Sequence, residues 1–358
     1  MTWFDRRLLE LFGIDHPIIQ APMAGFTPPA MAIAVSEAGG LGSLGSAAAT
    51  PDSLRADLQI LRQGTGRAHN VNFFVHADPV PDSERERRWR ETLSRYYREF
   101  GLNPPDAGGP MIRPFNAALC DILLEFKPKV ASFHFGLPEP ALVRRLKDAS
   151  IVVISSATTV AEARWLEDHG VDAVIAQGFE AGGHRGMFLV DDIARQAGTM
   201  ALVPQVVDAV KIPVIAAGGI GDGRGIAAAL ALGAAGVQMG TAFLLTAEVR
   251  TPPLHRAAIR QANDNSTTLT NLFTGRPARA IVNRYVREAG PMSGDAPPFP
   301  LAAGAAQPLR AAAEAKGSAE FTALWSGQAA TLAREMPAGE LVATLVEETE
   351  AVLRRTRQ

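Results

Sequence analysis

The stretch Ile212–Leu244, IPVIAAGGIGDGRGIAAALALGAAGVQMGTAFL, decides the fold. Its apolar run Ile212–Ala217 reads as a strand buried on both faces. The run breaks at Gly218-Gly219, passes Asp222-Gly223-Arg224-Gly225 and continues as an Ala/Leu helix ending near Gly233. A second buried strand, Gly236–Met239, stops at Gly240-Thr241. Glycines directly after a strand let backbone N–H groups approach an anion, and the next helix N-terminus adds a favourable dipole. Either glycine pair alone would serve as a tight turn. Two such junctions in succession, at the last two strands of an eight-fold barrel, point instead to a phosphate-bearing ligand, often a flavin.

Upstream, short apolar runs alternate with helical patterns, the mark of a parallel sheet with crossover helices. The expected strands are Pro17–Gln20, Leu41–Leu44, Asn70–Val75, Val130–Phe135, Ile151–Ser155, Ala173–Ala176, Pro213–Ala217 and Gly236–Met239. Eight strands in one direction favour closure into a (β/α)8 TIM barrel over an open doubly wound sheet. The fold class is therefore α/β, with a barrel over residues 1–245 and a mostly helical extension over 246–358 packing on its mouth. A long insertion, 76–113, follows strand three and carries SERERRWRETLSRYYREFGL, read as a solvated helix. After Leu245 no further strand is expected. The helices Ala319–Glu335 and Gly339–Arg355 are expected to dock across the barrel mouth, and the Ala-rich Gly304–Ala315 reads as a loop or short helix.

Composition narrows the function. With Lys+Arg 35 against Asp+Glu 37 in 358 residues, nothing in the charge calls for nucleic acid or a membrane surface. None of the five lysines (Lys127, Lys129, Lys147, Lys211, Lys316) ends a buried strand, which argues against Schiff-base chemistry. Cys120 is the single cysteine, so neither an intrachain disulfide nor a Cys-rich metal cluster can form, and no metal is expected. The N-terminal MTWFDRRLLELFGIDHPIIQ lacks a signal peptide's apolar core, so a cytoplasmic location is expected. The oligomeric state, monomer or homodimer, is left open by the sequence.

Gly40-Leu-Gly-Ser-Leu-Gly45 satisfies GxGxxG, but it follows a helix and enters a strand, the reverse of the dinucleotide fingerprint. The stronger element is Ala176–Gly186, AQGFEAGGHRG, directly after strand six. Of seven histidines, His16, His69, His169 and His255 sit at turns or element ends, where a surface role is the plain reading. His184 differs: flanking glycine exposes it, and an imidazole there can accept or supply a proton near neutral pH. His134, ending strand four, is evenly balanced between a substrate-pocket wall and a core imidazole. Gln177, Gln238 and Asn72 place amides at or near strand ends, where they can read a flavin's pyrimidine edge or ribityl hydroxyls. Pro22-Met23 offers backbone and a soft side chain against a flat ring.

Together QAPMAGFTPPAMAIAVSEAGGLG (Gln20–Gly42), FHFGLP (Phe133–Pro138), AQGFEAGGHRG and AAGGIGDGRGIAAALALGAAGVQMGTAFL resemble the nitronate monooxygenases, formerly 2-nitropropane dioxygenases, of class I. The resemblance spans 15–245 and extends to LWSGQA (Leu324–Ala329). It implies FMN-dependent oxidation of alkyl nitronates, such as propionate 3-nitronate, by O2 without NAD(P)H, giving a carbonyl compound with nitrite or nitrate. In this sequence the flavin would meet Pro22, Met23, Asn72, Gln177, Gly182, Gly218, Gly219 and the run Gln238, Met239, Gly240, Thr241. The family's histidine falls on His184, and His134 and Gln328 are expected in the substrate pocket. Two alternatives stand beside this one: an NAD(P)H:quinone or enoyl reductase of the same superfamily, and a non-redox phosphate-binding isomerase or synthase.

Overall fold

The computed structural model describes residues 3–105 and 112–355; positions 106–111 of the expected insertion lie outside the described residues. In chain order the strands are β1 (Ile18–Gln20), β2 (Gly42–Gly45), β3 (His69–Phe74), β4 (Val130–His134), β5 (Val152–Ala157), β6 (Ala173–Gln177), β7 (Gly183–His184), β8 (Val214–Ala217), β9 (Gly236–Met239), β10 (Thr267–Thr270) and β11 (Ala278–Ile281). All except β7, β10 and β11 form one parallel sheet, ordered β1-β9-β8-β6-β5-β4-β3-β2. A parallel bridge between Ile19 and Leu41 joins β1 to β2, bringing the two ends of the sheet together into a nearly closed barrel.

The barrel strands are buried on both faces, and successive side chains enter two different cores with the two-residue period of the pleat. Ile18, Val71, Ala131, Val153, Val174, Ala216 and Val237 face outward onto the helices. Ile19, Val130, Ile154, Ile175 and Ile215 fill the interior, together with Leu8 and Phe12 of α1 (Arg7–Phe12). Around the sheet run α2 (Pro29–Glu37), α3 (Pro51–Gly64), then α4 (Ser83–Phe100) as an excursion, α5 (Ala117–Phe126), α6 (Pro140–Asp148), α7 (Val160–Asp168), α8 (Thr199–Ala209) and α9 (Gly223–Ala231). Their starts carry local signals: Thr50 and Ser53 form a capping box ahead of Pro51, and Asn116 and Thr159 cap α5 and α7.

The last third of the chain departs from expectation in four ways. First, α13 (Ala338–Arg355) does not cross the barrel mouth; it packs beside α9 and α2, burying Leu341, Val342 and Leu345. It thus takes the eighth place in the helical ring, and Glu348 accepts from Gly223 N at 3.0 Å. The expected boundary at 245 moves accordingly, because residues 338–355 complete the ring.

Second, strands do continue after Leu245. Antiparallel β10 and β11 pair with each other, and β11 pairs with β7 through Ala278↔His184 and Arg279↔Gly183. Third, Ala319–Glu335 is no long helix: Ser326-Gly327 has no regular structure, Trp325 bridges Ala280, and Ala330–Leu332 makes a 3-10 turn. Fourth, the Ala-rich segment belongs to a 14-residue helix, α12 (Ala302–Ala315), with α10 (Pro253–Arg260) and α11 (Arg284–Ala289) preceding it. Small alanines let α12 approach α4 closely, so the charged α4 is not wholly solvated. Its Trp89, Leu93, Tyr96 and Tyr97 are buried against Ala302, Ala305, Ala306 and Leu309. Trp89 Nε1 donates to Ala302 O at 3.3 Å, and Tyr97 OH donates to Ala305 O.

Candidate active site

At the C-terminal ends of the barrel strands the inward positions turn from aliphatic to polar. Asn72, His134, Ser156, Gln177 and Gln238 continue the interior rows of their strands and line a cavity of about 430 Å³. That volume lies within the range of small-molecule and cofactor pockets. The β1 loop adds Pro22 and Met23, the glycine junctions add Gly182, Gly218, Gly219, Gly240 and Thr241, and the late segment adds Thr274, Trp325, Ser326 and Gly327.

Two expected residues do not line it. Met239 falls on the outward row between Gln238 and Gly240, so its side chain is buried in the helix-facing core. Gln328 is exposed, with its backbone N–H donating to Glu180 O at 3.0 Å; its neighbours Ser326, Gly327 and Ala329 line the cavity instead. Phe74 and Trp325 went unnoticed in the sequence, although Phe74 shares the inward row of Asn70 and Asn72.

One end of the cavity is a cradle of unspent donors. Gly218 and Gly219 have φ of 109° and 71°, a region where an L side chain is strained. The backbone N–H groups of Gly219, Gly240 and Thr241 meet no acceptor among the described residues. A Cβ on Gly182 would stand 2.5 Å from Gly327 N, so only glycine allows the late segment to close over this end. Gly327 N in turn donates to Thr241 Oγ1 at 2.9 Å.

The helix dipole expected to help here is already used. Asp222 Oδ1 accepts from Arg224 N and Gly225 N at the start of α9, and Glu180 accepts from Thr199 N at the start of α8. An anion would therefore be held by the loop amides. Along the wall Gln238 Oε1 is buried with no partner among the described residues, an orphaned acceptor that a ligand donor would satisfy. The Asn72 amide donates to Ser132 Oγ at 2.9 Å.

The other end is built around His184. Its ring meets Phe74, Phe299 and Trp325 at centroid distances of 5.8, 5.4 and 5.4 Å. Its exposure is less than the flanking glycine suggests: the ring is half-buried beside these aromatic side chains and opens on the cavity. Burial, reinforced by His134 and Arg276, pushes its pKa down to about 3, so the ring is neutral through the physiological range.

The backbone around it is clamped. His134 Nε2 and Gln177 Nε2 both donate to His184 O, at 3.1 and 3.0 Å, and Gly186 N donates to Gln177 Oε1 at 2.7 Å. Ser156 Oγ lies 3.1 Å from His134 Nδ1, so the His134 ring is a neutral Nε2–H tautomer with both nitrogens committed; burial pushes its pKa down to about 4. Arg185, fully buried, donates to Gln177 O, Gly178 O and Gln196 Oε1 at 2.6–2.7 Å and ties the loop to the barrel rim. His255, expected at the surface, is buried too, with Nε2 donating to Trp325 O at 3.0 Å.

Comparison with known proteins gives a consistent result. The family model described as nitronate monooxygenase matches residues 5–348. The chain is 44% identical to a nitronate monooxygenase of Paraburkholderia phytofirmans, over 99% of this chain and 97% of that one. Among solved structures it is similar to a nitroalkane oxidase from Streptomyces ansochromogenes (TM-score 0.89, 41% identity, covering 98% of this chain and 100% of that one). It is also similar to FabK from Thermotoga maritima (TM-score 0.73, 31% identity, 99% of each chain). No helix among the described residues is long and apolar enough to cross a membrane.

Proposed function

Since the chain belongs to the nitronate monooxygenase family of oxidoreductases, we propose that it oxidises alkyl nitronates, propionate 3-nitronate among them, with FMN and O2 and without NAD(P)H. The products would be a carbonyl compound with nitrite or nitrate. The observation that carries this reading is a single cavity with two unlike ends. One end offers unpaired backbone donors suited to a phosphate, and the other a neutral imidazole beside aromatic rings.

The N–H groups of Gly219, Gly240 and Thr241 would hold the FMN phosphate, while Gln238 Oε1 and Asn72 would meet the ribityl chain or ring edge. Pro22 and Met23 would lie against the ring plane. A flavin held by these residues would supply the redox chemistry between nitronate and O2. The chain supplies the rest. The aromatic wall formed by Phe74, Phe299 and Trp325 excludes water, and His184 either orients the nitronate anion or takes the α-proton of a neutral nitroalkane.

The likeness to FabK keeps a reductase as the second reading. Anaerobic mixing separates the two. Under the proposed reading, NADH leaves the flavin absorbance unchanged, whereas propionate 3-nitronate gives the spectrum of one-electron reduction. Rapid bleaching by NADH would replace it with a quinone or enoyl reductase. A colourless protein that takes up no flavin on reconstitution would support the isomerase or synthase.

A further inference from the structure

His184 has one ring nitrogen engaged and one free. Nε2 lies 2.9 Å from Thr274 Oγ1. Nδ1 has no partner among the described residues and keeps accessible surface, and its residue lines the cavity. Thr274 comes from the turn between β10 and β11, a part of the chain that carries none of the sequence motifs.

The direction of the His184–Thr274 bond follows from the hydroxyl's other neighbours. Thr274 Oγ1 also lies 3.4 Å from Arg276 O and accepts from Arg276 N at 3.5 Å. Arg276 O meets no other donor among the described residues. A hydroxyl has one proton to give. If it goes to Arg276 O, Thr274 must accept from His184, which places the imidazole proton on Nε2. If Thr274 turned its proton to His184, that carbonyl would be left without a donor.

We propose that Thr274 is a positioning residue that holds His184 in the Nε2–H tautomer and thereby leaves the Nδ1 lone pair as the one directed to substrate. This rests on the reading of His184 as the base. In the step it serves, the Cα–H bond of a neutral nitroalkane breaks and the proton passes to Nδ1. The bonding pair enters the C=N bond of the nitronate, and the negative charge settles on the nitro oxygens. A preformed nitronate has already lost that proton and makes no demand on the lone pair. Thr274 should therefore matter for one substrate and little for the other. The backbone clamp on His184 O by His134 and Gln177 fixes where the ring sits; Thr274 fixes which nitrogen is basic.

The test uses the full flavin-loaded enzyme labelled with [15N]histidine, the His184 signals being assigned by their loss in His184→Asn. The wild type and Thr274→Ser are expected to show a single tautomer, protonated at Nε2. Thr274→Val, which replaces the hydroxyl by a methyl, should show a mixture. Its kcat/KM for nitroethane should fall about tenfold to a hundredfold, as for other loss of an orienting partner. Turnover of ethylnitronate should stay within about threefold, and Thr274→Ser should restore nitroethane turnover.

A wild-type ring protonated at Nδ1, or a Val variant that keeps the pure Nε2–H form, would overturn the assignment. Equal loss on both substrates in the Val variant would do the same, reducing Thr274 to a packing residue. If His184→Asn keeps full nitroethane turnover while the tautomer pattern holds, the base reading fails and the catalytic part of the proposal goes with it.

Discussion

Replacing His184 by Asn separates proton removal from anion binding. The wild-type ring is neutral near pH 7, its pKa being pushed down to about 3 by burial, so the substitution removes no charge at that pH. The donor cradle at Gly219, Gly240 and Thr241 lies at the other end of the cavity, so flavin content should be unchanged. A neutral nitroalkane needs a base, and a positioned general base contributes roughly 10²–10⁴-fold. Burial weakens this imidazole as a base, which places the expected loss on nitroethane at about 10²–10³-fold. A preformed nitronate has already lost that proton, and a neutral ring that turns its Nδ1 lone pair to the cavity donates it no hydrogen bond, so its turnover should stay within about threefold. The assay is oxygen uptake at pH 7 with nitroethane and with ethylnitronate, on matched preparations whose flavin content is read by absorbance. Losses of the same size on both substrates would refute proton abstraction and leave His184 as an anion-orienting group. No loss on either would refute the functional reading of this histidine altogether.

Further outcomes follow from other parts of the structure. Gly219→Val, which places a side chain at φ 71° and 3.3 Å from the Glu180 Cβ, should fold but purify without flavin; full flavin content would make the glycine a turn residue only. Gln238→Leu removes a buried acceptor that has no partner among the described residues, so it should weaken FMN binding by about tenfold while leaving the flavin-free protein at least as stable; unchanged FMN affinity in a titration would count against that contact. His255 is held neutral, its pKa pushed down to about 4 against an unfolded value of about 6.5. Its stabilising effect is therefore complete above pH 6.5 and lost as pH falls toward 4, at about 1.4 kcal/mol per pH unit. His255→Asn should flatten the pH dependence of urea unfolding in that window by about one proton, and parallel wild-type and variant curves would show that His255 titrates normally. Trp89→Ala empties the contact between α4 and α12 and should cost about 3–5 kcal/mol in urea unfolding; a loss under 1 kcal/mol would mean that the contact is dispensable.

The barrel was legible because each of its strands is a short apolar run with turn residues on both sides, and period two then orients every side chain. The same period shows why Gln238 and Gly240 reach the cavity while Met239 cannot. What escaped depends on contacts distant in sequence. Thr267–Thr270 and Ala278–Ile281 are β-branched or alternating pieces around Gly275, a hairpin signal that was available in the sequence. The pairing of Ala278 with His184, however, spans most of a hundred residues and leaves no local trace. The glycine beside His184 points to a fully exposed ring, but Phe299 and Trp325, far along the chain, cover part of it. The Asp222 side chain that caps α9 stood in the very motif taken as phosphate-binding. Competition between that carboxylate and a ligand for the same N–H groups is a matter of geometry, so composition could not settle it.

The late arrival of two partners also imposes an order in time. Synthesis proceeds from the N-terminus at roughly 5–20 residues per second. When Met239 has been added, every barrel strand exists, yet the histidine's short strand β7 still waits for Ala278 and Arg279. On that rate the wait is on the order of seconds. The gap between α9 and α2 stays open longer still, until Ala338–Arg355 is made. A ribosome that stops between those points releases a polypeptide with all the apolar strands, a ligand cradle and an unsealed greasy seam. Such a fragment should be prone to aggregation and a ready substrate for proteolysis, so the cell's surveillance of interrupted translation bears directly on this enzyme's yield.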